Sequence, residues 1–240
     1  MYSNPMILLK SKAVVFLITL IFFSLGFVAQ IFAESAIQCH CFKNRSYNAT
    51  DRFAADEYIL ATSFNSLLAR SFALPKRQIV MIKMNEGVAQ DDLLIGLKTS
   101  KTTGIAPQEF FRLRKENNTW AEIISSLSQQ EKIRNDPFLE ALRSGMPVEQ
   151  AGVRVAHEII GEFYRIVPEE IKKLGMSGLN AKEINLIYIL AQAREKRPEG
   201  LVKLYKEKGK SWSEIAFNLG VEPKVAGKLI QAYPAREISE

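Results

Sequence analysis

Apolar residues along most of the chain recur at three- and four-residue intervals, the period of a helix with one buried face. From Leu60, the residues Phe64, Leu68 and Phe72 follow four apart with Leu67 beside them, and Leu93, Leu94 and Leu97 repeat that spacing. Ile184, Leu186, Ile187, Ile189 and Leu190 are apolar nearly all round, which predicts a central helix buried on most sides. The run Gln78-Ile79-Val80-Met81-Ile82 is the one plausible strand, but a lone strand has no partner to pair with. Helix starts are legible. Proline stands close before glutamate at Pro107, Pro147, Pro168 and Pro198, and Asp136-Pro137 reads as cap then first turn. Asn180-Ala181-Lys182-Glu183 approximates a capping box, and Gly145 and Gly175 read as stops. The pattern predicts an all-α fold, a compact multi-helix bundle or array.

The chain also resembles itself. Residues 107–127 (PQEFFRLRKENNTWAEIISSL) align with residues 198–219 (PEGLVKLYKEKGKSWSEIAFNL) when one residue is inserted. Upstream, Asp92 to Leu97 faces Ile184 to Ile189 at an offset of 92. This predicts one three-helix module used twice, over residues 91–128 and 183–220, packed around helices near residues 147–166 and 183–193. Thr119-Trp120-Ala121-Glu122 and Ser211-Trp212-Ser213-Glu214 both match the reciprocal capping box, in which hydroxyl and carboxylate each satisfy an orphan N–H. Each tryptophan then opens a helix. Ile123 and Leu127, like Ile215 and Leu219, share its face, so Trp120 and Trp212 are expected to plug the module cores.

Residues 211–221, with a second helix from Pro223 to Tyr233, resemble a helix-turn-helix unit. The tandem Trp-x-Glu-Ile segments are closer to those of uncharacterised exported helical proteins of bacteria. A DNA-reading second helix offers polar or basic groups to base edges. Here Val225, Ala226, Leu229 and Ile230 leave only Lys224, Lys228 and Gln231 for that role. The likeness therefore implies a tri-helical shape more than nucleic-acid binding.

Residues 13–33 form the one long apolar stretch, preceded by Lys10 and Lys12 and followed by Glu34. They read as a secretory signal or, uncleaved, as a membrane anchor. Either reading places residues 34–240 outside the cytoplasm, periplasmic or secreted. The two lysines account for part of the formal charge of +6, and the remaining chain divides evenly, each half carrying a slight basic excess. That balance disfavours a nucleic-acid stripe. The densest basic run, Arg194 to Lys210, is broken by Glu195, Glu199 and Glu207 and reads as a solvated face.

Candidate chemistry is sparse. Cys39-His40-Cys41 carries thiols and imidazole suited to copper or zinc, with His157 a distant fourth ligand. Alternatively the two cysteines form a disulfide, within the chain or linking a dimer, or stay free thiols. Glu158 and Glu162 share a helix face beside His157, as an acid–base pair or a solvated surface. No phosphate-binding glycine loop or Gly-x-Ser-x-Gly elbow is present. The expected organisation is a leader over residues 1–33, a Cys-His-Cys segment over 34–52, a first helical module over 53–134, and a second with the central helices over 135–240. The expected function is a non-enzymatic interaction or structural protein of the cell envelope with a protein or envelope partner. A metal- or redox-linked role through Cys39, His40 and Cys41 is the first alternative, and nucleic-acid binding through residues 211–233 the second.

Overall fold

A computed structural model describes residues 42–127 and 131–233. The leader and the Cys39-His40-Cys41 motif lie outside the described residues. Among the described residues the protein is all-α, with no strand, and no helix is long and apolar enough to cross a membrane. The run from Gln78 to Ile82 is helical. It lies inside α2 (Lys76–Asn85), where Ile79, Ile82 and Lys83 fall on one face and pack against α1 (Asp56–Ser71).

Proline opens α4 (Pro107–Lys115), α7 (Pro137–Arg143), α9 (Pro168–Met176) and α11 (Pro198–Lys206), as its missing N–H permits. Pro147 stands one residue earlier, as the cap of α8 (Val148–Tyr164). Asp136 caps α7 by accepting from the N–H groups of Phe138 and Leu139 at 2.8 and 2.9 Å. The Asn180 box closes on both sides at the start of α10 (Ala181–Ala193). Gly175 is not a stop. It lies within α9, where a Cβ would make ordinary contact with the His157 ring at 3.5 Å. The turn falls at Gly178, whose φ of +83° only glycine adopts freely.

Every residue of α10 from Glu183 to Ala191 is buried. The second hub is α1, which packs against α10, α2, α12 (Trp212–Asn218) and α13 (Ala226–Ala232). Along α1, residues 63–68 are buried without interruption, including Ser63, Asn65 and Ser66. Two of these polar groups turn back on their own helix, Ser63 Oγ donating to Leu60 O and Ser66 Oγ to Thr62 O. On the other side α3 (Gln90–Thr103) lies along α8, and α8 also meets α9 and α10. Short α5 (Trp120–Ser126) and α6 (Glu131–Arg134) both close against α7, and α6 also meets α3. The described residues share one core and belong to one compact unit.

The crossing of α13 over α1 depends on a small residue. A Cβ on Gly227 would stand 2.6 Å from Ser66 Oγ and 3.0 Å from the carbonyl oxygen of Thr62. Gly227→Ala is therefore expected to lower stability by about 1–3 kcal/mol. Gly200 in α11 has nothing within 4 Å of its Cβ position. Gly200→Ala should instead raise stability by roughly 0.5–1 kcal/mol. Urea midpoints of the two variants check the pair, and an equal effect from both would refute the close-packed crossing.

Candidate functional site

Trp120 and Trp212 are both core residues. The Trp120 indole N–H donates to Asp92 Oδ1 at 2.7 Å, and Arg114 donates to the same oxygen at 2.9 Å with its guanidinium over the indole. The Trp212 N–H donates to Glu183 Oε1 at 3.0 Å, and Tyr205 stacks on its ring at 4.2 Å. Both rings are buried against neighbouring helices, so neither offers a stacking face to a ligand. The Thr119 box closes on both sides, with Glu122 N donating to Thr119 Oγ1 and Thr119 N to Glu122 Oε2. At Ser211 the hydroxyl half forms, Glu214 N donating at 3.0 Å, but the Glu214 carboxylate accepts hydrogen bonds from Lys210 and Arg52 instead. Asp56 contributes to that helix start from α1. Its carboxylate accepts from the backbone N–H groups of Trp212 and Ser213 at 3.0 and 2.8 Å.

The basic run near Arg194 is largely engaged in structure. Arg194 donates to the carbonyls of Leu219 and Gly220 beyond the end of α12, and Lys206 to that of Gly178. Lys203 and Lys210 pair with Glu207 and Glu214. In the segment resembling a helix-turn-helix, α13 turns Ala226, Gly227 and Ile230 into the core, while Lys228 and Gln231 stay exposed.

Of the four residues that suggested a metal site, His157 alone is among the described residues. Among those residues no group of three or more histidine, cysteine, aspartate and glutamate side chains is placed to hold a metal ion. His157 lies half-buried on α8, and burial pushes its pKa below the ordinary histidine value. It lines a groove of about 760 Å³ along the outer side of α8 and α9. Gly161 sets the fold of this groove. A Cβ there would stand 3.2 Å from Ile166 O and 3.3 Å from the end of Ile171, so the glycine lets α9 turn back closely. Apolar lining comes from Val153, Ile166, Pro168 and Ile171, while Arg154, Glu158, Glu162 and Lys172 supply charge. Glu158 forms an ion pair with Lys98 of α3, and Arg154 lies over the Phe138 ring. Three large apolar residues on these helices and their joint are unusually open: Val153 at 44%, Val167 at 59% and Met176 at 80% exposure.

The chain matches no protein-family model, no curated protein and no solved structure.

Sequence reasoning missed a second cluster, where α2, α3, α8 and α10 bring their ends together beside α1. Lys83, only 5% exposed, donates to Gln90 Oε1 at 2.6 Å and Asn65 Oδ1 at 3.4 Å. Burial, with repulsion from Lys182, brings its pKa down to about 7. Lys182 is itself lowered by burial, against the opposing pull of Glu57 and Asp91. Asp91 is raised by burial and by the nearby charges of Glu149 and Asp92. The signal was present. Lys83 lies four residues after Ile79, on the apolar face of α2. Its enclosure closes the amine to solutes, so it is a feature of stability rather than a reaction centre.

Proposed function

We propose that the chain is a non-enzymatic helical interaction protein of the cell envelope, which presents the α8–α9 groove to a protein partner. The observation that carries this reading is the apolar groove with Val153 exposed in its lining, while Val167 in the joint and Met176 at the end of α9 are also exposed. Open apolar area on a folded surface marks a contact site, and the groove volume is within the range of sites that take apolar groups. The groove's ionisable groups do not converge as a catalytic set would. Glu158 is held by Lys98 and Arg154 by Phe138. Engagement of α13 with α1 also favours protein contact over base reading.

The duplicated module belongs to the same proposal. The helices α4 and α11 are each nine residues long and begin with proline, and α5 and α12 are each seven long and begin with tryptophan. In both, the indole N–H meets an acid at the third residue of the first helix, Asp92 in α3 and Glu183 in α10. Pairing those acids shifts the alignment of the first helices by one residue, so that Asp92 corresponds to Glu183 rather than Ile184.

A photo-crosslinking side chain placed at Val153 or Val167, in cells of the source organism, tests the proposal. One discrete protein adduct is expected at both positions and none at exposed Arg112 of α4. Val153→Glu should remove the adduct at Val167. Equal labelling at all three positions, or none at the groove, would sink the docking reading.

A further inference from the structure

We infer that the face built from residues 42–53 and α12 is a second contact surface, which seats on an anionic lipid bilayer. It shares no residue with the α8–α9 groove and stands independently of the role given to that groove. Of the described aromatic side chains only Phe53 and Phe217 are exposed, each at 54%. Both lie on this face. Phe42 packs edge-on against Tyr58 of α1 at 5.5 Å, and the Tyr47 ring lies 4.9 Å from that of Phe217. Ser213 Oγ donates to the carbonyl oxygen of Arg52 at 2.8 Å. That bond brings the backbone beside Phe53 to the turn of α12 that precedes Phe217.

The charge of the face points to the same occupant. Residues 42–53 and 210–217 carry Lys43, Arg45, Arg52 and Lys210 against Asp51 and Glu214, four cations to two acids. Arg52 and Lys210 both donate to the single Glu214 carboxylate. Arg45 rests over the Tyr58 ring and donates to Phe42 O. Neither Arg45 nor Lys43 has an acidic partner among the described residues, and both are exposed. Asp56, the acid at the start of α1, is committed to the backbone of Trp212 and Ser213. Exposed phenylalanine amid free cations suits a bilayer interface, where rings enter the acyl boundary and lysine and arginine meet lipid phosphates. A nucleic-acid face needs a broader basic stripe than this one. Phe42 also follows the apolar stretch of residues 13–33 by nine positions, so that stretch, used as an anchor, tethers Phe42 within about 30 Å of a membrane.

The test uses the 240-residue chain with Cys39→Ser and Cys41→Ser, carrying an environment-sensitive thiol dye at Phe53→Cys, at Phe217→Cys or, as control, at Arg112→Cys. Every replaced side chain among the described residues is exposed, which leaves the core untouched. The chain is incorporated from detergent into vesicles of phosphatidylglycerol and phosphatidylcholine in equal parts, with a nitroxide on some of the acyl chains. The nitroxide is expected to quench the dye at 53 and 217 but not at 112, and vesicles of phosphatidylcholine alone should abolish the difference. Lys43→Gln with Arg45→Gln should lower the ratio of seated to free face about thirty-fold, as for two cations removed from an anionic surface. Equal quenching at all three positions overturns the inference, as does none at 53 and 217. Quenching that persists in phosphatidylcholine, or without the two cations, overturns it as well. A dye response to dextran sulfate with none to vesicles overturns it too and assigns the face to a soluble polyanion.

Discussion

Trp212→Ala is expected to lower the stability of the fold by about 3–5 kcal/mol, the range for removing a fully buried aromatic side chain. Two losses combine. The ring leaves a cavity beneath Tyr205, and Glu183 loses the indole donor at 3.0 Å in a buried setting. Trp212→Phe separates them, because it keeps most of the apolar volume and removes only the donor. That variant should lose about 1–2 kcal/mol. Domains hold about 5–15 kcal/mol in total, so the alanine variant consumes a large part of the margin. Urea unfolding followed by Tyr and residual Trp fluorescence measures both. A loss below about 1.5 kcal/mol for the alanine variant would mean that the ring is dispensable to the core.

The second large effect carries the opposite sign and depends on pH. Lys83 binds its proton more weakly in the fold, at about 7, than in an unfolded chain at its ordinary 10.5. Between those values the unfolded chain holds more protons, so stability rises with pH, by roughly 1.4 kcal/mol per unit for one group. Below about 7 the penalty for charging the buried amine is complete and the contribution becomes flat. Above 10.5 it vanishes, since both states are neutral. Lys76, held by Thr62 and lowered to about 8 by burial, adds to the trend in the same direction. Lys83→Met retains the apolar stem and removes the ammonium, at the expense of its bonds to Gln90 and Asn65. Stability measured from pH 6.5 to 10 should climb less steeply in the variant than in the parent. Parallel curves would show that the folded protein keeps this amine charged, with the Gln90 and Asn65 oxygens solvating it.

Much of the architecture could be read from residues that act locally. Proline at helix starts, the boxes at Asn180 and Thr119, and the apolar circumference of α10 each depend on neighbours within a few positions, and each is as expected. Features set by distant chain were harder to see. Ser63, Asn65 and Ser66 look like a polar face of α1, and only the packing of α10 and α13 around that helix makes them interior. Glu214 looks like the partner of Ser211 until Lys210 and Arg52 draw its carboxylate away. The groove was illegible for a similar reason. It exists because α9 turns back over Gly161, and glycine at that position carries no mark of the helix that will approach it. Glu158 and Glu162 accordingly read as a solvated face, while their role as groove lining depends on where Lys98 and Ile171 arrive.

The reach of Asp56 to the backbone of Trp212 and Ser213 joins positions more than 150 residues apart. Its consequence concerns timing during synthesis. A nascent chain halted before residue 212 has made α1 but none of α12 or α13, so the flank of α1 that those helices cover stays open to water. Contacts between residues so distant close late and slowly. The interior is thus completed only when the last part of the described chain has emerged, and until then the polypeptide remains in a form that can still be threaded or captured.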